Sequence, residues 1–351
     1  MSQGAHIYRF TDSFITESGY ELAEPRIAYH TWGKLNSERT NAVVICHALT
    51  GHSSADEWFG GFFGPDHLLD PDRDFIICAN VLGSCYGSTG PQSINPNTGK
   101  PYQADFPNVT IRDMVRFQQR LLDKLDIQGI RLAIGGSMGG MQVLEMAIMD
   151  SRVESIIAIG MGKAHSAWAI GTSEAQRRAI YADPNWNNGF YYEDQKPEAG
   201  LSAARMMAMI SYRTASSFER RFGRSYQDGT GLFQVQSYLD YQGKKLIDRF
   251  DAVSYVRLTE AMDSHDVARG RGSYDEILGN ITVPALIMGI DSDLLYPVQE
   301  QKELADLLGN GQLAVLHSDY GHDAFLIEFE SMEELIRPFI HERVKSQTVH
   351  P

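Results

Sequence analysis

The chain has 351 residues, 43% of them hydrophobic and 22% charged, the composition of an ordinary globular protein large enough to bury a sizeable core. Its formal charge of −14, from 45 acidic residues against 31 Lys and Arg, opposes any sequence-independent attraction to nucleic acid or anionic lipid, so an anionic ligand needs a local basic site. No apolar run approaches the roughly 20 residues that cross a bilayer, and Met1 to Phe10 lacks the basic-then-apolar layout of a signal peptide, which makes a cytoplasmic location the expectation.

Short apolar runs alternate with helical stretches along the chain. Asn41 to Cys46 reads as a buried strand that empties into His47-Ala48-Leu49-Thr50-Gly51, and Phe75 to Asn80 reads as another. Cys46 and Cys78 fall in these runs, which favours buried packing; with Cys85 they are too few for a disulfide framework. Thr110 to Leu125 spaces Ile111, Met114, Val115, Phe117, Leu121 and Leu122 along one helical face. Arg131 to Gly135 is a strand, Met138 to Met149 a helix and Ser155 to Gly160 a strand. From about Lys163 to Gly279 no convincing parallel strand appears. Helical candidates there are Leu201 to Ile210, Ser216 to Phe222, Leu232 to Phe250 and Ala252 to Val267, after a polar, turn-rich Ala182 to Gly200. Ala285 to Ile290 and Leu313 to Leu316 resume the strands, with a helix over Val298 to Leu308 between them; Lys345 to Pro351 reads as a loose tail. The expected fold is α/β, a mostly parallel sheet flanked by helices, with residues 1–162 and 280–351 forming the core and 163–279 an inserted helical lid.

Gly135-Gly136-Ser137-Met138-Gly139 lies between a strand and a helix. This is the G-x-S-x-G context of a nucleophile elbow in the α/β-hydrolase fold, where a tight turn exposes the serine hydroxyl and the helix N-terminus faces the developing oxyanion. A serine needs a base, and this fold supplies an acid and then a histidine later in the chain. The strand ending at Ile290 runs into Asp291-Ser292-Asp293, and spacing alone leaves Asp291 and Asp293 as alternatives. The base is read as His322 in Tyr320-Gly321-His322-Asp323, with His317 second; His6, His30, His341 and His350 are read as surface residues. No zinc-ligand spacing is present, so no metal is expected. Oxyanion donors are expected from the amides of Met138 and Leu49.

The blocks HALTG, NVLGSCYGSTGP, NPNTGKPY, FPNVTIRDMV, IGGSMGGMQVLEMA, DSDLLYP and YGHDAFL resemble those of the homoserine O-acetyltransferase family, from about Ala28 to Ile336. That resemblance implies an α/β-hydrolase core, a helical lid, a homodimer, and ping-pong transfer of acetyl from acetyl-CoA to homoserine in methionine synthesis, with acetyl-CoA as co-substrate and no bound cofactor. It implies Ser137 as nucleophile, Asp293 as acid and His322 as base, and Arg205, Tyr212 and Asp323 as acceptor-binding residues. An arginine suits the acceptor's carboxylate and an aspartate its ammonium. His52-Ser53-Ser54 departs from the short polar stretch of many members. Related enzymes use succinyl-CoA or accept serine, and a plain esterase or thioesterase would use the same triad.

Overall fold

The computed structural model of the chain describes residues 4–347. Eight strands form the central sheet: β1 (His6–Arg9), β2 (Arg26–Trp32), β3 (Ala42–Cys46), β4 (Phe75–Ala79), β5 (Ile130–Gly136), β6 (Ile156–Ile159), β7 (Ala285–Ile290) and β8 (Gly311–Leu316). Their spatial order is β1-β2-β4-β3-β5-β6-β7-β8. β1 and β2 join antiparallel, β2 joins β4 antiparallel, and every pairing from β4 to β8 is parallel.

The central strands read as unbroken apolar runs because both faces of the sheet are covered. Side chains alternate between them: Val44 and Cys46 point into one core with Met114, Phe117, Met141 and Leu144, while Val43 and Ile45 point into the other with Phe59, Phe62, Met332 and Phe339. The first core is closed by α1 (Ile111–Lys124) and α2 (Met138–Met149). α1 starts at a reciprocal cap, in which Thr110 Oγ1 accepts the Asp113 N–H at 3.1 Å and Asp113 Oδ2 accepts the Thr110 N–H at 3.1 Å.

Between β6 and β7 the chain adds no strand to the central sheet. It forms α3 (Ala167–Tyr181), α4 (Glu198–Tyr212), α5 (Ala215–Phe222), α6 (Gln234–Ile247) and α7 (Ala252–Asp263). On the way back to β7, Arg271 Nη1 meets Glu145 Oε2 of α2 at 2.6 Å, and Arg112 Nε of α1 meets Glu145 Oε1 at 3.1 Å, with Glu145 only 1% exposed. Arg112 Nη2 also donates to the Asp266 carbonyl at 2.9 Å. α8 (Val298–Leu307) and α9 (Phe329–Gln347) complete the helices named here.

The structure differs from the sequence reading in several details, the first being that β1 and β2 join the sheet where no strand is predicted. α3 lies inside the expected helical insertion, over residues for which no individual helix is predicted. His30 is buried on β2, its Nδ1 2.8 Å from Ser53 Oγ, rather than at the surface. Residues 345–347 continue α9 instead of starting a loose tail, while residues 348–351, including His350, lie outside the described residues. Among the described residues no helix is long and apolar enough to cross a membrane.

Candidate active site

Ser137 stands between β5 and α2 with φ 56° and ψ −126°, a left-handed backbone that costs a residue with a side chain about 1–3 kcal/mol. The turn can be this tight because the following helix rests directly on the end of β3: a β-carbon on Gly139 would lie 2.1 Å from the Cys46 carbonyl oxygen. Register explains the approach, since Cys46 of β3 lies opposite Gly135 of β5. The loops after these two strands therefore leave the sheet at one level, at its carboxyl edge, where ligands of such sheets bind. One carries Leu49, which is 6% exposed, and the other Met138, the first residue of α2, whose N–H has no partner within the helix.

The next strand brings in the histidine. The Ser137 N–H donates to Ile159 O at the end of β6, at 2.8 Å. One residue further, a β-carbon on Gly160 would be 3.3 Å from His322 Cε1 and 3.7 Å from Asp293 Oδ2. The imidazole thus lies over the strand end that adjoins the elbow. His322 Nδ1 pairs with Asp293 Oδ2 at 2.7 Å, and both side chains are almost wholly buried. Asp293 Oδ1 accepts the N–H groups of Leu295 and Tyr296 at 2.8 and 2.9 Å. Burial alone would lower the His322 pKa, but the charge and hydrogen bond of Asp293 outweigh it and raise the pKa above its usual value.

The two aspartates that spacing left open are separated by their partners. Asp291 Oδ2 pairs with His317 Nδ1 at 2.8 Å, and that histidine's side chain is 84% exposed. Asp293 faces inward.

Arg205 and Tyr212 arrive from the β6–β7 connection, and Asp323 follows His322 in the loop after β8. Tyr212 closes α4 with its ring 5.5 Å from that of His322, and Arg205 of the same helix lies 5.9 Å from the Tyr212 ring centre. Burial pushes the Tyr212 hydroxyl up to about 12, against the pull of Arg205. Asp323 has its pKa raised by burial, partly countered by Arg213 and Arg205. Its nearest cation is Arg213, whose Nε is 3.0 Å from Asp323 Oδ2. The sequence reading missed Arg213, which directly follows Tyr212, and also Tyr296 and Phe325, whose rings flank His322 at 5.2 and 5.4 Å.

Comparison with known proteins agrees with this architecture. The sequence profile of the alpha/beta hydrolase fold family matches residues 41–329. A homoserine O-acetyltransferase of Chlorobium chlorochromatii is 53% identical over 95% of this chain and 94% of its own, and one of Trichormus variabilis is 54% identical over 97% and 94%. The chain belongs to the homoserine O-acetyltransferase family. Among solved structures, that of esterase E22 aligns with TM-score 0.89 at 28% identity, covering 97% of this chain and all of the other. The homoserine O-acetyltransferase from Bacillus anthracis aligns with TM-score 0.87 at 27% identity, over 95% and 96%. Family membership thus spans proteins described as transferases and a fold shared with an esterase, so the acceptor must be argued from the site.

Proposed function

We propose that the chain is a homoserine O-acetyltransferase that carries the acetyl group on Ser137 between acetyl-CoA and homoserine. The observation that carries this reading is the buried His322–Asp293 pair over the strand end beside Ser137. His322 takes the Ser137 hydroxyl proton as Oγ attacks the thioester carbonyl, and the amides of Leu49 and Met138 hold the oxyanion. The intermediate collapses, the C–S bond breaks, and His322 returns its proton to the departing CoA thiolate. Homoserine then gives its hydroxyl proton to His322 and attacks the acetyl-serine; collapse breaks the bond from the acyl carbon to Ser137 Oγ, His322 returns the proton to Oγ, and the new ester leaves. Arg205 holds the acceptor carboxylate, Asp323 its ammonium, and Tyr212 packs between Arg205 and the base.

Transfer prevails over hydrolysis only where water is kept from the acyl-enzyme. The helical segment 163–279, acting as a lid, supplies that exclusion. A cytoplasmic homodimer belongs to the same reading; exposed Met207 and Ile210 on α4 and Tyr241 on α6 offer apolar surface for pairing.

The test is product formation from acetyl-CoA and homoserine. The wild-type protein makes O-acetylhomoserine and Ser137→Ala makes none; near wild-type product from Ser137→Ala would sink the mechanism. The likeness to esterase E22 favours hydrolysis as the second reading. CoA release as fast without homoserine as with it would support that alternative, and succinyl-CoA and serine run in parallel decide donor and acceptor. Arg205→Ala should impair discharge to homoserine much more than acetyl-enzyme formation.

A further inference from the structure

Leu49 serves as an oxyanion donor only if its peptide plane faces the reacting carbonyl, so what fixes that plane matters to the mechanism just proposed, on which this inference rests. A planar trans peptide points its C=O and N–H in opposite directions. Whatever grips the Ala48 oxygen therefore also sets where the Leu49 N–H points. Two groups grip it: the His47 ring through Nδ1 at 2.8 Å, and the Gly51 N–H at 2.9 Å.

The ring is fixed in turn. His47 is fully buried, and its Nε2 accepts the Val81 N–H at 3.1 Å. A ring nitrogen that accepts carries no proton, so the Val81 amide selects the neutral tautomer with its hydrogen on Nδ1. Burial holds the ring in that neutral form, pulling its pKa down to about 4. Gly51 is required by the same packing, because a β-carbon there would lie 2.9 Å from His47 Cβ and 3.2 Å from Nδ1.

The preceding peptide is anchored too. Gln142 Nε2 donates to His47 O at 3.2 Å and to Met138 O at 3.0 Å, and its Oε1 accepts from Gln118 Nε2 at 2.7 Å. One buried amide thereby ties together the two segments that supply the two oxyanion donors.

We propose that His47 is the positioning residue of the oxyanion loop, its Nδ1–H held in one tautomer by the Val81 amide and aiming the Leu49 N–H at the developing oxyanion. Both ring nitrogens are committed to backbone groups, so His47 moves no proton in the reaction and acts through Leu49. The same oxyanion hole serves both tetrahedral intermediates. Mis-aiming Leu49 therefore slows acylation and deacylation alike and appears in kcat rather than KM.

Two substitutions divide the ring's bonds. His47→Asn keeps an N–H donor near the Nδ1 position and gives up the Val81 bond; His47→Gln keeps an acceptor near Nε2 and gives up the bond to Ala48. Rapid-quench measurement of acetyl-enzyme formation and of its discharge to homoserine is made on both, beside Ser137→Ala. His47→Gln is expected to slow both steps by about 10- to 100-fold, a little under the loss for deleting a donor outright, with both KM values nearly unchanged. His47→Asn recovers most of that loss. Equal losses in the two variants, a loss confined to one step, or a wild-type rate in His47→Gln would overturn the proposal. Imidazole nitrogen NMR on the wild-type protein tests it without any variant: the ring coupled to the Val81 amide must carry its proton on Nδ1, and a proton on Nε2 overturns the proposal. An active Ser137→Ala would instead remove the acyl-enzyme reading, whereas an inactive one beside indifferent His47 variants removes only this inference.

Discussion

Asp293 has both oxygens engaged, one by the His322 ring and one by two backbone amides of its own turn. An asparagine there can still accept the turn amides, but it then presents an NH₂ to Nδ1 and forces the ring toward the wrong tautomer. Asp293→Asn is expected to leave the protein folded and to lower kcat by about 10⁴-fold, read from CoA release in the presence of homoserine. The pH profile carries a second signature. Because Asp293 raises the His322 pKa while burial opposes it, the acid limb of kcat/KM in the wild type should fall above the ordinary imidazole value of 6.5. In Asp293→Asn burial is opposed only by the smaller pull of Asp323, so the limb moves to lower pH; a limb that stays in place would show that another group titrates. Spacing could not distinguish Asp293 from Asp291 because both follow β7 within three residues. The distinction lies in whether the partner histidine is buried, a property of three-dimensional packing. Arg213 escaped notice for a related reason: its role depends on Asp323, more than a hundred residues away.

Among the elements, those read best were the ones buried on both faces. β3, β4, β5, β6 and β7 are apolar runs because helices cover both sides of the sheet. β1 was invisible because its residues are mostly exposed, and β2 because half-buried positions interrupt its apolar ones; as antiparallel strands toward one edge they need no such run. α3 mixes Gly, Thr and Ser into its face, which hides the helical period. The cap of α1 is local and can be tested locally: Thr110→Ala removes one acceptor of a reciprocal cap and should cost about 1 kcal/mol, seen as a lowered denaturant midpoint with unchanged slope. Gly139→Ala is a different kind of defect. Its β-carbon meets a backbone oxygen that no side-chain rotation can move, so α2 must shift away from β3, at a cost at the upper end of the about 1–3 kcal/mol typical of overpacking. Met138 moves with α2 while Leu49 stays with β3. Acetyl-enzyme formation should therefore fall further than the lost stability alone accounts for, as assayed at a temperature where the variant is still folded.

At the scale of the whole molecule, the Arg112–Glu145–Arg271 network joins two core helices to the segment returning from the helical connection. Glu145→Ala leaves Arg112, 8% exposed, with Glu17 at 3.6 Å as its remaining carboxylate, and should cost about 3 kcal/mol, the lower end for breaking a buried pair, in a denaturant titration. Glu145→Gln, which keeps an acceptor, should cost less. The placement of that connection also has a consequence in time. β6 pairs with β7, Ile156 opposite Ala285, so the sheet stays open until more than a hundred further residues have been made. A chain leaving the ribosome at about 5–20 residues per second has its serine turn in hand roughly ten seconds or more before the histidine follows. Until then the hydroxyl is inert, and a chain cut short between the end of α2 and His322 carries the elbow with no base to activate it.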